Sequence, residues 1–249
     1  MSDIAKDALL SHPFTEVLCQ LNFDTPPGWN GTAYGVLLDS IRDLGFTRAE
    51  DVTVPSPIPV VGTCMVRYRQ SGGPLLLQLG PSLFSVHSLI PYSGWSVFKV
   101  NVLKAIERFQ KAVAPVVVNQ LTVRYINRFG FPVPNVDIES WFTFRPTLPA
   151  LDGATPGAFI MRQQWNFADG HLLIGSLGVG QPIGQTDDKE KLAILLEFEY
   201  TMPASIDWTF ACLADDIESA HSRIRATYTR FLTEPALRLL DEVKHNDIR

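Results

Sequence analysis

Apolar and polar positions along the chain follow two periods. Val17, Cys19, Leu21 and Phe23 fall on one side of a two-residue alternation, with Glu16, Gln20 and Asn22 opposite. That pattern predicts a half-buried strand over Phe14–Phe23, broken by Pro26-Pro27-Gly28. A three- and four-residue stripe of Tyr34, Leu37, Leu38 and Ile41 then predicts a helix from Gly31 to Leu44, stopped at Gly45. Three strands follow, about Thr63–Arg69, Pro74–Leu79 and Leu83–Leu89, divided by Ser71-Gly72-Gly73 and Gly80-Pro81-Ser82. Trp95, Phe98, Val102, Ile106, Phe109 and Val113 recur at helical steps, and Lys99, Lys104, Glu107, Arg108 and Lys111 fill the other side. This long helix ends before Pro115, because proline drives the preceding residue out of helical geometry.

The longest strand pattern comes next, over Val116–Phe129. Leu121, Val123, Tyr125, Asn127 and Phe129 share one face; Thr122, Arg124, Ile126 and Arg128 share the other. Phe131-Pro132-Val133-Pro134-Asn135 interrupts the pattern, and Trp141–Arg145 reads as a short apolar strand. Ala158–Phe167 and His171–Val179 form a hairpin about Asp169-Gly170, and Lys191–Met202 alternates strongly. Ile217, Ala220, Ile224, Tyr228 and Phe231 stripe a helix over Asp215–Leu232, and Thr233 caps a last helix opening with Glu234-Pro235.

Each half thus runs through three strands into one long amphipathic helix. The expectation is an α+β fold, an antiparallel sheet packed by long helices, built from duplicated βββα units. The two halves are residues 1–130, ending in the central strand, and residues 131–249, ending in two helices; one continuous domain is the alternative.

Composition narrows the function classes. The 249 residues are 46% hydrophobic and 19% charged, with a net charge of −5. An acidic chain argues against a dedicated nucleic-acid binder. Three widely spaced cysteines, Cys19, Cys64 and Cys212, make neither a disulfide framework nor a zinc site and are expected as buried thiols. The first residues lack the apolar core of a signal peptide, and no uncharged run reaches a membrane-spanning length, so a cytoplasmic protein is expected. Val54-Pro55-Ser56-Pro57-Ile58-Pro59 reads as an extended surface connection.

Standard catalytic and cofactor signatures are absent. Gly175-Ser176-Leu177-Gly178-Val179-Gly180 is followed by neither a lysine nor a helix start, so it reads as a strand end and turn, and no cofactor is expected. The five histidines, His12, His87, His171, His221 and His245, show no metal-ligand spacing. His87 shares a strand face with Ser85 and is expected as a hydrogen-bonded sheet residue. Glu197 and Glu199 lie about 7 Å apart on one strand face, a spacing open to an ion, to acid–base work or to plain solvation. The central strand is the stronger candidate. If the face carrying Arg124 and Arg128 is covered, each guanidinium needs a carboxylate, a carbonyl or an anion, and Glu197 and Glu199 are natural partners. Asn127 needs hydrogen-bond partners among its apolar neighbours. The candidate ligand- or partner-binding residues are therefore Arg124, Tyr125, Asn127, Arg128, Glu197 and Glu199.

Three stretches carry a resemblance: Pro13–Phe23, Arg124-Tyr125-Ile126-Asn127-Arg128, and the closing helix pair around Ala220-His221 and Phe231-Leu232-Thr233. Together the chain resembles a sporadically distributed family of uncharacterised bacterial proteins of about this length. The resemblance implies no catalytic residues; its patchy occurrence implies a link to bacterial antiviral defence. The expected function is a non-enzymatic binding or regulatory protein acting through a protein partner, with a homodimer as one form and no membrane. Two alternatives stand: a small anionic ligand met by Arg124 or Arg128, and a hydrolase or nuclease using Glu197, Glu199 or His87.

Overall fold

The computed structural model describes residues 14–54, 63–113, 117–132, 138–145, 158–180, 191–203 and 210–246. The strands are β1 (Phe14–Phe23), β2 (Phe46–Val54), β3 (Thr63–Gln70), β4 (Leu75–Gly80), β5 (Leu83–Ser88), β6 (Val118–Pro132), β7 (Ile160–Asn166), β8 (Leu172–Gly180) and β9 (Lys191–Pro203). The helices are α1 (Thr32–Ile41), α2 (Trp95–Ala112), α3 (Ile138–Trp141), α4 (Phe210–Phe231) and α5 (Glu234–Asn246). All nine strands form one sheet in the order β2-β3-β4-β5-β1-β6-β9-β8-β7. Every pairing is antiparallel. The protein is α+β: β3-β4-β5 and β7-β8-β9 lie on opposite sides of the β1–β6 pair, and each precedes a long helix.

One face of this sheet carries the core. Val17, Cys19, Leu21 and Phe23 of β1, Leu121, Val123 and Phe129 of β6, and Leu196, Phe198 and Tyr200 of β9 all join it. Phe98, Val102, Ile106 and Phe109 of α2 meet them, as do Ile217, Ala220, Ile224 and Phe231 of α4. Aromatic rings fill the layer: Phe84 stacks on Phe109 at 4.5 Å, and Phe198 meets Phe231 edge-on at 4.9 Å. Gly175 makes the latter packing possible, because a Cβ there would lie 3.1 Å from the Phe231 ring. Among the described residues the helices all pack on this face. Leu18, Leu76 and Ile174 point the other way and are buried outside the main core cluster.

The structure departs from the sequence expectations at several points. Phe46–Val54 is a strand that the pattern did not announce. It lies at the end of the sheet, and Arg48, Glu50 and Asp51 leave no apolar alternation to read. Trp141–Arg145 is not a strand: a helical turn ends at Trp141, and Phe142 makes an isolated bridge to Leu232. Both aromatic residues there are buried against Phe129, so their proximity in sequence reflects a corner entering the core. The central strand runs on to Pro132, paired along its length with β9, and α4 begins at Phe210. Cys19 is a buried thiol, but Cys212 is exposed, because the helical phase that buries Leu213 turns its neighbour outward. The side chain of Cys64, the proline-rich stretch after Val54 and the lead-in before Pro13 fall outside the described residues.

Candidate binding site

The helix-free face of the central strands gathers the polar residues singled out by the sequence. Arg124 of β6 faces Leu18 of β1 on one side and Glu199 of β9 on the other; Ile126 faces Glu197. The guanidinium crosses diagonally, and its Nη2 donates to Glu197 Oε2 at 2.8 Å. Burial opposes the charge on Arg124, but the bond to Glu197 and the charges of Glu197, Glu199 and Glu16 outweigh it, so its pKa is raised. Arg124 Nε is buried and has no acceptor among the described residues.

Beside this pair lies a cleft of about 180 Å³ lined by Leu18, Gln20, Gln120, Thr122, Arg124, Leu172, Glu199 and Thr201. Its walls are hydrogen-bonded into position. Gln20 Nε2 donates to Asn22 Oδ1 at 2.7 Å, and Asn22 Nδ2 donates to Gln120 Oε1 at 3.2 Å. Thr122 and Thr201 are directly opposed across β6 and β9, with hydroxyls 3.1 Å apart. On the far side of β1, Glu16, His87 and Ser85 form a chain: His87 Nδ1 lies 2.6 Å from Glu16 Oε1, and its Nε2 lies 2.8 Å from Ser85 Oγ. The order of residue types matches an acyl-transfer relay, but Ser85 is 1% exposed, so its hydroxyl is closed to a substrate.

The sequence candidates therefore divide. Arg124, Glu197 and Glu199 come together on the helix-free face. Arg128 lies on the same face, opposite Leu195 and further along β6. Tyr125 and Asn127 lie on the other face: Asn127 Nδ2 donates to the Leu196 carbonyl at 3.2 Å, a backbone role inside the core.

Tyr125 belongs to a cluster that sequence reasoning did not assemble. Its hydroxyl lies 2.7 Å from His221 Nδ1 on α4, and the imidazole stacks on Trp95 of α2. Trp95 Nε1 and Lys99 Nζ both donate to Glu218 Oε2, at 3.0 and 2.8 Å. Burial pushes the Tyr125 hydroxyl well above the ordinary phenol range, so it stays protonated. Burial also lowers the pKa of His221, which favours its uncharged form. The bonds from Lys99 and Trp95 hold the Glu218 carboxyl below its usual range. The available signal was His221 at a half-apolar position on a striped helix, which by itself names no partner.

Among the described residues no group of three histidine, cysteine or carboxylate side chains is arranged to hold a metal, and no helix is long and apolar enough to cross a membrane. No family model matches the chain, and no curated protein is significantly similar to it.

Proposed function

We propose that the protein is a non-enzymatic binding protein that engages a partner protein by strand addition at β7. The observation that carries this reading is the contrast between the two ends of the sheet. Unpaired strand edges invite another chain, and proteins normally protect them with charge. At one end, β2 is guarded by Arg48, Glu50 and Asp51, tied by Arg48–Asp51 and Arg67–Glu50 ion pairs. At the other, β7 carries a single charge, Arg162, among Ile160, Met161, Gln163, Gln164, Trp165 and Asn166. Five of its seven residues are exposed, Ile160 to 83%, and no described strand lies beyond it. A partner strand laid along this edge would gain main-chain hydrogen bonds and cover apolar side chains.

The space between sheet and helices is occupied by aromatic side chains, so it offers no support for a small-ligand pocket there. In the same reading, β3-β4-β5-α2 and β7-β8-β9-α4 are two copies of one unit, meeting at β1 and β6 within a single domain. A cytoplasmic location and a role in bacterial defence rest on the sequence and its resemblance alone.

The test is capture from the native host followed by native mass spectrometry, comparing the wild-type chain with Gln163→Pro and Gln164→Pro. Neighbouring residues of a strand direct their N–H groups to opposite edges, so one of the two prolines removes only an outward donor. The expected result is a stable fold and a lost partner for that variant. A wild-type chain that stays monomeric and alone refutes the reading; a homodimer lost with the same proline makes the partner a second copy.

A further inference from the structure

We infer that β7 pairs with itself: two copies of the chain join through their β7 edges, antiparallel, about a two-fold axis at Gln163. This rests on the β7 reading and names its partner as a second copy.

The hairpin to β8 shows which main-chain groups the edge offers. The Phe167 N–H donates to the His171 carbonyl at 2.9 Å, which makes this a hydrogen-bonded pair. Hydrogen-bonded and non-hydrogen-bonded pairs alternate along an antiparallel ladder. Counting back from Phe167, the residues bonded to β8 are Trp165, Gln163 and Met161, opposite Leu173, Gly175 and Leu177. Ile160, Arg162, Gln164 and Asn166 therefore turn their N–H and C=O groups to the open edge. A side chain already stands in for a missing strand there: Gln163 Nε2 donates to the Gln164 carbonyl at 2.9 Å.

This alternation restricts how two β7 strands can meet. Hydrogen-bonded partners must both come from the outward-turned set, so the axis falls on a residue of the strand. An axis at Gln163 gives all seven residues a partner. Ile160 then faces Asn166 of the second copy, and Arg162 faces its Gln164, each twice, for about eight main-chain hydrogen bonds. A typical protein interface has roughly 5–15 direct hydrogen bonds. An axis at Arg162 sets two guanidiniums directly opposite each other, which is unfavourable. An axis at Gln164 pushes Ile160 and Met161 past the end of the facing strand. At Gln163 the two arginines are only diagonal, about 7–8 Å apart. Arg162 is exposed, so water and salt screen that repulsion.

The side chains agree with the same axis. Trp165 turns to the helical side of the sheet, where it meets Phe231, and Met161 shares that face. Both are half-exposed. The axis sets Met161 opposite Trp165 of the second copy, twice, in non-hydrogen-bonded pairs, where side chains approach most closely. A thioether against an aromatic ring is a favourable contact. At the centre Gln163 meets its own counterpart, and two neutral amides can each donate and accept.

Symmetry accounts for the contrast between the sheet ends. A two-fold contact is closed. It uses the bare β7 edge of each copy and leaves the charged β2 edges at the two outer ends. Pairing of β7 with β2 would instead continue from copy to copy, and the charges on β2 oppose it.

The experiment follows the mass of the purified full chain by sedimentation equilibrium over a concentration series. The wild-type chain is expected to dimerise. Gln163→Lys and Gln163→Glu each set like charges face to face at the axis, and each should weaken the dimer by about tenfold or more. Mixed in equal amounts, the two variants should pair with each other and restore it. Gln163 is exposed, so neither substitution disturbs the core. A second measurement uses mild oxidation, with Cys212→Ser removing an exposed thiol. Gln163→Cys should give a covalent dimer, because central Cα atoms about 4.5 Å apart admit a disulfide. Asn166→Cys should not, since the two copies of that position lie about 20 Å apart along the strands. A monomeric wild-type chain overturns the inference. So does a dimer that withstands both Gln163 charges, or a mixture that fails to pair. A monomer that captures a host protein and loses it in Gln164→Pro, the outward proline, sinks this inference and keeps the β7 reading. A dimer unchanged in Gln164→Pro sinks both.

Discussion

Trp95 lies flat on the imidazole of His221, with ring centroids 4.0 Å apart and planes 9° from parallel. The contact ties α2 to α4 on the helical side of the sheet, and Tyr125 of β6 holds the imidazole from below. Element order in the two halves gives no hint of this junction, yet it joins them through three side chains.

The junction makes stability pH-dependent. His221 faces Tyr125 from β6, Trp95 and Lys99 from α2, and Glu218 and Arg225 on its own helix; Tyr92 reaches it through Tyr125. Its folded pKa is lowered from 6.5, chiefly by burial, so the unfolded chain takes up the proton more readily. Stability from this group is therefore complete above the unfolded pKa and is lost as pH falls through 6.5 and on through the folded value. The melting temperature is expected to drop between about pH 7.5 and 5.5, a window set above the carboxylate range. His221→Gln should be less stable at neutral pH but show a flatter dependence. An equal slope in both proteins would place the titrating group elsewhere.

The Arg124–Glu197 pair is expected to be real but modest. The side chains are 35% and 27% exposed, so water screens them in part. A double-mutant cycle with Arg124→Met and Glu197→Gln, read by chemical denaturation, should return a coupling within about 0.2–1 kcal/mol, toward the upper end. A coupling near zero would make the pair incidental to the fold.

Gly175 is expected to resist any side chain. A Cβ would sit 3.1 Å from two Phe231 ring carbons and 3.2 Å from Trp165. Gly175→Val should cost about 1–3 kcal/mol through overpacking. Combining it with Phe231→Leu should cost less than the sum of the singles, because the smaller side chain makes room. Strict additivity in denaturation curves would show that the ring is not the obstacle.

The Ser85–His87–Glu16 chain is expected to be structural. A fluorophosphonate probe should leave the folded protein unlabelled, since Ser85 is closed to solvent. His87→Phe should cost about 1–3 kcal/mol by stranding the groups on either side. Labelling that disappears in Ser85→Ala would instead establish the hydrolase alternative.

The two faces of β6, the stripes of α2 and α4, and the Thr233 cap were all legible in the sequence. The Ala236 N–H reaches Thr233 Oγ1 at 3.4 Å, as the capping pattern implies. Such features depend on neighbours a few positions away, where helix and strand periods convert spacing directly into direction. The charged end strand β2 was not legible, because a strand solvated at the sheet's edge needs no apolar alternation. Nor was the corner at Trp141 and Phe142, where adjacent aromatics imitate a strand.

Local spacing settles which side chains of β1, β6, β9, α2 and α4 point into the core and which away from it. That was enough to put Arg124, Glu197 and Glu199 on polar strand faces. Tertiary packing alone makes β6 and β9 neighbours, in a register that sets Arg124 opposite Glu199 and diagonal to Glu197. It also brought Trp95 to Glu218 across 123 positions of chain. Strand order and helix placement follow from how the whole core fills its volume, and no local period encodes that.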